Sequence, residues 1–200
     1  EFPAEPQILM LYQAAPLGHP DTYPLAVLGT LLGDGRSSRL HKRLVEEKRL
    51  VTGISAGPWL LQYAGLFMIQ ATPRAPHTLE EVEAAIEEEI STLKTELASP
   101  REMLKVRNQT EVEAVENLAS NAGLASRLGN AWALTDDWRS VFSDQEKLAA
   151  VTAENVRDVA RRYLVAGRRT VASLVRGAGL VEAGSAARLP LGARQPWDAN

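Results

Sequence analysis

The sequence contains no cysteine at all. That absence excludes disulfides, thiolate-ligated metals and cysteine nucleophiles together, and it leaves the compartment open. Histidine is scarce: His19, His41 and His77 stand far apart and supply no cluster of ligands. No apolar run approaches the roughly 18 residues that a membrane span needs. An excess of one charge sign is also missing. The 22 basic and 25 acidic residues leave a net charge of −3, whereas a dedicated nucleic-acid-binding face is usually strongly basic. Neither nucleic acid nor a membrane span is therefore expected. The opening residues, Glu1 to Pro6, have no basic stretch and no apolar core of a secretory signal, and they read as the middle of a longer polypeptide. A soluble protein of the cytoplasm or periplasm is the expectation.

What is present is a core. Apolar residues make up 45% of 200 positions, enough for one sizeable domain. Gln7 to Gln13 is a short apolar run that reads as a buried strand. Pro16, Gly18 and Pro20 break the chain, and Asp21 or Thr22 is placed to cap a helix that runs to Gly33. A second helix is predicted over Ser37 to Lys48. Residues 51–58 and 64–72 read as two strands. Leu79, Val82, Ile86, Ile90, Leu93 and Leu97 recur at steps of three and four and form one helical stripe. Ser99 and Pro100 restart the chain as N-cap and first helical residue, with Leu104, Val112, Val115 and Leu118 as the apolar positions. Asn121 to about Leu134 is a helix rich in small residues and suited to close packing. Thr152 caps a further helix with Val156, Val159, Ala160 and Tyr163 inward, and residues 170–175 form a last strand. Residues 177–200 lose all periodicity and read as a linker or tail, which leaves 1–176 as the domain. The order of elements predicts an α+β fold, a two-layer sandwich with helices on one face of a mainly antiparallel sheet.

Several stretches invite a chemical reading. Gly33-Asp34-Gly35 precedes a helix, as in a phosphate cradle. Yet neither GxxxxGK[ST] nor GxGxxG is present, so a helix-to-helix turn is the better reading. Arg36, Arg39, Lys42, Arg43, Lys48 and Arg49 are the densest basic cluster. No aromatic residue lies among them for base stacking, and a solvated helix face accounts for them. Arg39 stands apart, because its spacing from Leu40 and Leu44 aims it toward the sheet and a fixed partner. His77-Thr78-Leu79-Glu80-Glu81 comes close to the inverted zinc motif H-x-x-E-H but has Glu81 where the second histidine belongs. Thr78 and Glu81 also form a capping box for the helix that follows, and this reading explains every residue. Glu80, Glu81, Glu83 and Glu87 to Glu89 read as a charged outer face. No serine nucleophile motif appears, so the residues alone give no complete active site.

The stretch LLGDGRSSRLHKRLVEEKRLVTGISAG, residues 31–57, nevertheless resembles the hallmark segment of the C-terminal domain of the insulinase, pitrilysin and mitochondrial processing peptidase family. GHPDTYPLAVLGTLL before it, YAGLFMIQATP after it, and SNAGLASRLGNAWALTDDWR and VTAENVRDVARRYLV further on are similar to the flanking elements of that domain. The resemblance covers about residues 5–176. It implies a processing-peptidase-like domain of a zinc metallopeptidase, in which paired domains enclose a peptide chamber. Zinc would be a cofactor of the intact protein, held by an H-x-x-E-H helix in a separate N-terminal domain and not by this chain. The implied partners are that zinc-binding domain, a second domain pair and a peptide substrate. Some C-terminal domains of the family carry an arginine and a tyrosine that support the substrate carbonyl, and alignment places Val45 and Thr52 there. Neither side chain can do that work, so the resemblance implies no catalytic residue in this chain. Gly33, Asp34, Gly35, Arg36, Ser37, Ser38 and Arg39 are the expected substrate-contact or interface loop. The alternative is a structural or assembly subunit, like the core proteins of respiratory complexes that share the fold.

Overall fold

Alternation decides which way the central strand faces. A computed structural model describes residues 5–175, and in it Ile8, Met10, Tyr12 and Ala14 of β1 (Gln7–Ala14) are buried while Leu9 and Leu11 are only half-buried. The expected tail, 177–200, lies outside the described residues. Strands β2 (Val51–Leu60), β3 (Gly65–Pro73) and β4 (Arg169–Leu174) complete one four-stranded sheet in the order β2-β3-β1-β4, with every neighbouring pair antiparallel. Because paired residues share a face, the register sorts the sheet into two sides. Ala56, Ile69, Met10 and Val171 form one row of the inner face, and Pro58, Phe67, Tyr12 and Arg169 form the next.

The helices cover that inner face. They are α1 (Thr22–Gly33), a π-helical segment (His41–Glu47), α2 (Leu79–Thr95), α3 (Pro100–Leu118), α4 (Asn121–Thr135), α5 (Ser140–Ala149) and α6 (Ala153–Tyr163). The predicted two-layer α+β sandwich is what the structure shows. Helix α2 buries Val82, Ile86, Ile90 and Leu93, each contributing roughly 1.5–3 kcal/mol by leaving water. Leu97 of the expected stripe stays exposed. Thr78 caps α2 as expected: its Oγ1 accepts from the Glu81 amide at 3.2 Å, and the Glu81 carboxylate accepts from the Thr78 amide at 3.2 Å. Ser99 and Thr152 close capping boxes on α3 and α6 in the same way.

Four expectations need correction. Asp21 precedes α1 without capping it. Its carboxylate is taken by Arg162 and by the Tyr163 hydroxyl at 2.7 Å, which ties α6 to the start of α1. Leu104 and Val112 are 56% and 55% exposed, and among the described side chains of α3 the face toward the core is carried by Met103 and Val106, the latter 1% exposed; Val115 and Leu118 of the expected stripe lie outside the described side chains. Met103, Val106 and Thr110 face Val27 of α1 and Leu148 of α5, one step round the helix from the predicted stripe. Helix α4, expected to pack closely, buries no residue. Helix α5 was not expected at all; it buries Val141 and hydrogen-bonds α1 through Asp144, which accepts from the Tyr23 hydroxyl at 2.8 Å.

Helix α1 lies directly on β2, and two glycines one turn apart permit it. A Cβ on Gly33 would come within 2.1 Å of the Ala56 amide nitrogen, and one on Gly29 within 2.8 Å of Pro58 Cδ. The obstacle at Gly33 is backbone, which cannot swing aside as a side chain can. Gly33→Ala is therefore expected to destabilise the fold by about 2 kcal/mol or more in denaturant melts. Gly35→Ala meets no atom within 4 Å and is expected to cost only about 1 kcal/mol, from its positive φ. A Gly33→Ala variant as stable as the parent would show that α1 can lift off β2 freely.

Candidate functional site

The 33–39 segment is a turn closed on itself at Gly35 and Ser38 and tied to α3 at Asp34 and Arg39. Gly33 ends α1 in a buried position, and Gly35 takes a φ of 71° that favours glycine. Ser38, 1% exposed, donates its hydroxyl to the Gly35 carbonyl at 2.8 Å, and its amide reaches the same oxygen at 3.2 Å. Asp34, Gly35, Arg36 and Ser37 are the exposed members. Asp34 accepts from Gln109 Nε2 of α3 at 2.6 Å.

Arg39 does find a fixed partner, but on α3 rather than on the sheet. Its Nε and Nη2 donate to the two oxygens of Glu102 at 2.7 and 3.0 Å. Such two-pronged pairing is the strongest geometry that arginine offers a carboxylate. Glu102 is also the third residue of α3 and accepts from the Ser99 amide and hydroxyl, both at 2.8 Å. Arg39, ahead of the Ser99 bonds, holds the Glu102 carboxyl down at about 2 against a partial opposing effect of burial. One carboxylate thus caps α3 and anchors the turn after α1.

The basic run is exposed at Arg36, Lys42, Arg43, Lys48 and Arg49, as a solvated face is, and Arg43 and Lys48 also reach the glutamates of α2. Residues 41–47 are wound as a π-helix, with the Lys48 amide reaching back five residues to the Arg43 carbonyl at 2.8 Å. The wider turn buries Leu44 and sets Val45 at the edge of the core. Arg43 pairs with Glu47 at 3.0 Å and with Glu89 at 3.2 Å, while Lys48 pairs with Glu88. Glu89 is 5% exposed, and its burial pushes that carboxyl up despite Arg43. The glutamates of α2 are therefore no uniform outer face. Glu83 and Glu87 turn to Arg169 of β4, and the Tyr12 hydroxyl donates to Glu87. Burial, then the Glu87 carboxylate, pushes the Tyr12 phenol above the usual tyrosine range. The sequence offered one signal for this network, a tyrosine at an inward strand position, since a buried phenol needs a partner.

Val45 and Thr52 do not form a pair of donors. Thr52 is exposed at a bulge in β2 and donates to the Thr72 carbonyl at 3.3 Å. His77 Nδ1 lies 2.9 Å from Glu81 Oε2, the carboxylate of the capping box. His19 and His41 lie 3.8 Å from Asp21 and Glu46. Among the described residues no three histidine, aspartate or glutamate side chains converge where a metal ion could be held, and no helix among them is long and apolar enough to cross a membrane.

Residues 3–110 match the family model described as the peptidase M16 inactive domain. The chain belongs to that family. The M16 inactive-domain match takes in the whole of the 31–57 hallmark segment. "Uncharacterized zinc protease YmxG" of Bacillus subtilis is 26% identical over 151 residues, 76% of this chain and 37% of that protein. "Uncharacterized zinc protease SCO5738" of Streptomyces coelicolor is 28% identical over 153 residues, 76% and 33% of the two chains. The chain thus spans about a third of the length of the curated relatives it matches. Among solved structures, a protease from Helicobacter pylori superposes with a TM-score of 0.81 at 23% identity, over 86% of this chain and 41% of that one. An inactive peptidase domain from Bordetella parapertussis gives 0.79 at 22%, over 88% and 96%. A chain of complex III2 from Candida albicans gives 0.72 at 16%, over 86% and 43%. These likenesses establish the fold.

The pinned Glu102 makes a pH-dependent prediction. Its folded-state pKa of about 2 lies below the ordinary 4.5, so its contribution to stability is complete above pH 4.5 and fades as pH falls toward 2. Arg39→Ala is expected to destabilise the chain at neutral pH, with the deficit shrinking through that window, and to bring the Glu102 carboxyl upward in a carbon-detected NMR titration. A Glu102 midpoint that stays at about 2 without Arg39 would assign the shift to Ser99 instead.

Proposed function

We propose that this domain is the non-catalytic half of a zinc-dependent metalloendopeptidase, a wall of its peptide chamber that packs beside a separate zinc-binding domain. The observation that carries the reading is the sheet's outer face. Leu9, Leu11, Leu66 and Met68 lie side by side across β1 and β3, and Trp59 of β2, 54% exposed, extends the patch beside Leu66. No helix among the described residues covers them, and a contiguous apolar patch of this kind marks a surface built for contact. Gln7, Gln13 and Gln70 stand among the apolar residues on the same face, so backbone groups of an extended peptide would find donors and acceptors there. Zinc and its ligands belong to the rest of the protein. The naming of the relatives as zinc proteases and the inactive-domain family support this division of labour. In the 33–39 segment, contact with peptide or partner falls to the exposed residues Asp34 to Ser37, because Gly33, Ser38 and Arg39 are committed to the fold.

A second reading is favoured by the complex III2 likeness. In that reading the apolar face of this domain would serve assembly rather than peptide binding.

The two are separated in the protein that carries this domain together with its zinc-binding half. Met68→Glu, with circular dichroism and melting unchanged, is expected to raise the KM for a fluorogenic peptide by about tenfold, as loss of a buried apolar contact does. Val45→Ala and Thr52→Ala are expected to leave turnover within a few-fold, since removing a true oxyanion donor costs about 10²–10³ in rate. A selective collapse of turnover in either alanine variant would place the donors in this domain and overturn the proposal. Stable assembly without any peptide turnover would establish the second reading.

A further inference from the structure

A cavity of about 360 Å³ opens between the turn after α1 and the first two turns of α3. Arg39, Lys42, Arg101 and Lys105 line it, together with Glu102 and Ser37. Four cations thus face one carboxylate, and that carboxylate is already committed to Arg39 through two hydrogen bonds and to Ser99 through two more. Among the described residues neither Lys42, Arg101 nor Lys105 takes part in an ion pair or a side-chain hydrogen bond.

Neighbouring surface shows how the fold treats cations when it neutralises them. The adjoining cavity, about 250 Å³, is bordered by Arg43, Glu47, Glu89 and Glu96 as well as by Lys42, and there Arg43 holds both Glu47 and Glu89. The larger cavity has no such matching. Its floor is Leu31 and Val106, both buried, which strips water from the ammonium above them. That burial and, next, the like charge of Lys42 hold the Lys105 ammonium below the usual lysine range, against the pull of Asp34 and Glu102 from the rim. Lys105 is half-buried while Lys42 and Arg101 are exposed, so like charges gather at the mouth of the cavity, and an anion entering between them relieves their repulsion.

We propose that this cavity is a binding site for a compact oligoanion, a small molecule carrying two or more phosphate or carboxylate charges, gripped by Lys42, Arg101 and Lys105 with the Ser37 hydroxyl beside them. No aromatic residue lines the cavity, so a nucleobase has nothing to stack on. The volume lies at the low end for ligand pockets, which span roughly 300–1,000 Å³. The site sits in the helical layer and does not depend on whether the intact protein cleaves peptides.

Isothermal titration of the chain with pyrophosphate, and separately with citrate, tests the proposal at low and physiological salt. One-to-one saturable binding of at least one anion is expected, weakened about tenfold by Lys105→Met and by Lys42→Met, as loss of a charge-assisted hydrogen bond predicts. Lys105→Met keeps the aliphatic stem over the floor, and Lys42 is exposed, so both variants are expected to melt like the parent. Arg168→Gln removes an exposed cation outside the cavity and is expected to leave binding unchanged. Binding of pyrophosphate alone would identify phosphate as the recognised group, citrate alone carboxylate, and equal binding charge density. If neither anion saturates, or if Arg168→Gln weakens binding as much as Lys105→Met, the cavity is only basic surface and the proposal fails.

Discussion

The seating of α1 on β2 is the constraint around which the other elements arrange themselves. Gly29 and Gly33 remove the side chains that would hold helix and strand apart, and Ala56, Gly57 and Pro58 present a correspondingly low surface on the strand. So placed, α1 is almost wholly buried, and it touches α3, α5 and α6 as well as the sheet. A helix that sits this deep is held at both ends by side chains. Its N-terminal approach is secured by Asp21 to Arg162 and Tyr163, and its C-terminal turn by Ser38 and the Arg39–Glu102 pair. The Asp21 and Arg39 contacts are local in space and distant in sequence, whereas Ser38 bonds within its own turn.

Charge then does the work of alignment between layers. Apolar packing of α2 on the sheet is non-directional and would tolerate sliding along the helix axis. Glu83 and Glu87 meeting Arg169 and Tyr12, and Glu88 and Glu89 meeting Lys48 and Arg43, fix α2 against β4 on one side and against the π-helical segment on the other. Partly buried pairs of this kind contribute little net stability when compared with apolar replacements, yet losing one partner strands the other. Their value here lies in register.

Much of this was legible in the sequence where a residue's partner is close along the chain. The capping box Thr78–Glu81, the Ser99 cap and the stripes of α2 and α6 follow from spacing alone, and the strand boundaries fall within a residue or two of the alternation. Where the partner is remote, spacing is silent. Glu83 and Glu87 look like surface glutamates until β4 returns beside β1 and brings Arg169 opposite Tyr12. Asp21 looks like a cap until Arg162 competes for it. The predicted stripe of α3 missed at Leu104 and Val112 because these are more apolar than Met103 and Thr110, while α1 and α5 approach from the other side. The hallmark segment itself carried the family, and its positions as a contact loop rest on which of its members the fold leaves exposed.

What the fold leaves uncovered is as specific as what it buries. Helix α4 offers Trp132 and Leu134 to solvent, and Trp138 and Phe142 follow on the turn into α5. These rings are already arranged: Trp138 meets Phe142 edge-to-face with centroids 6.4 Å apart, and the Arg139 guanidinium lies 4.6 Å above the Trp138 ring. Isolated exposed aromatics are ordinary on a protein surface, but an ordered cluster beside a helix that buries nothing is not. The outer sheet face repeats the pattern with Trp59, Leu66 and Met68. A core of buried residues joins β1, β2 and β3 to α1, α2 and α6, so these surfaces are not the residue of incomplete folding. Contiguous apolar surfaces of this kind are suited to contact with another domain or chain.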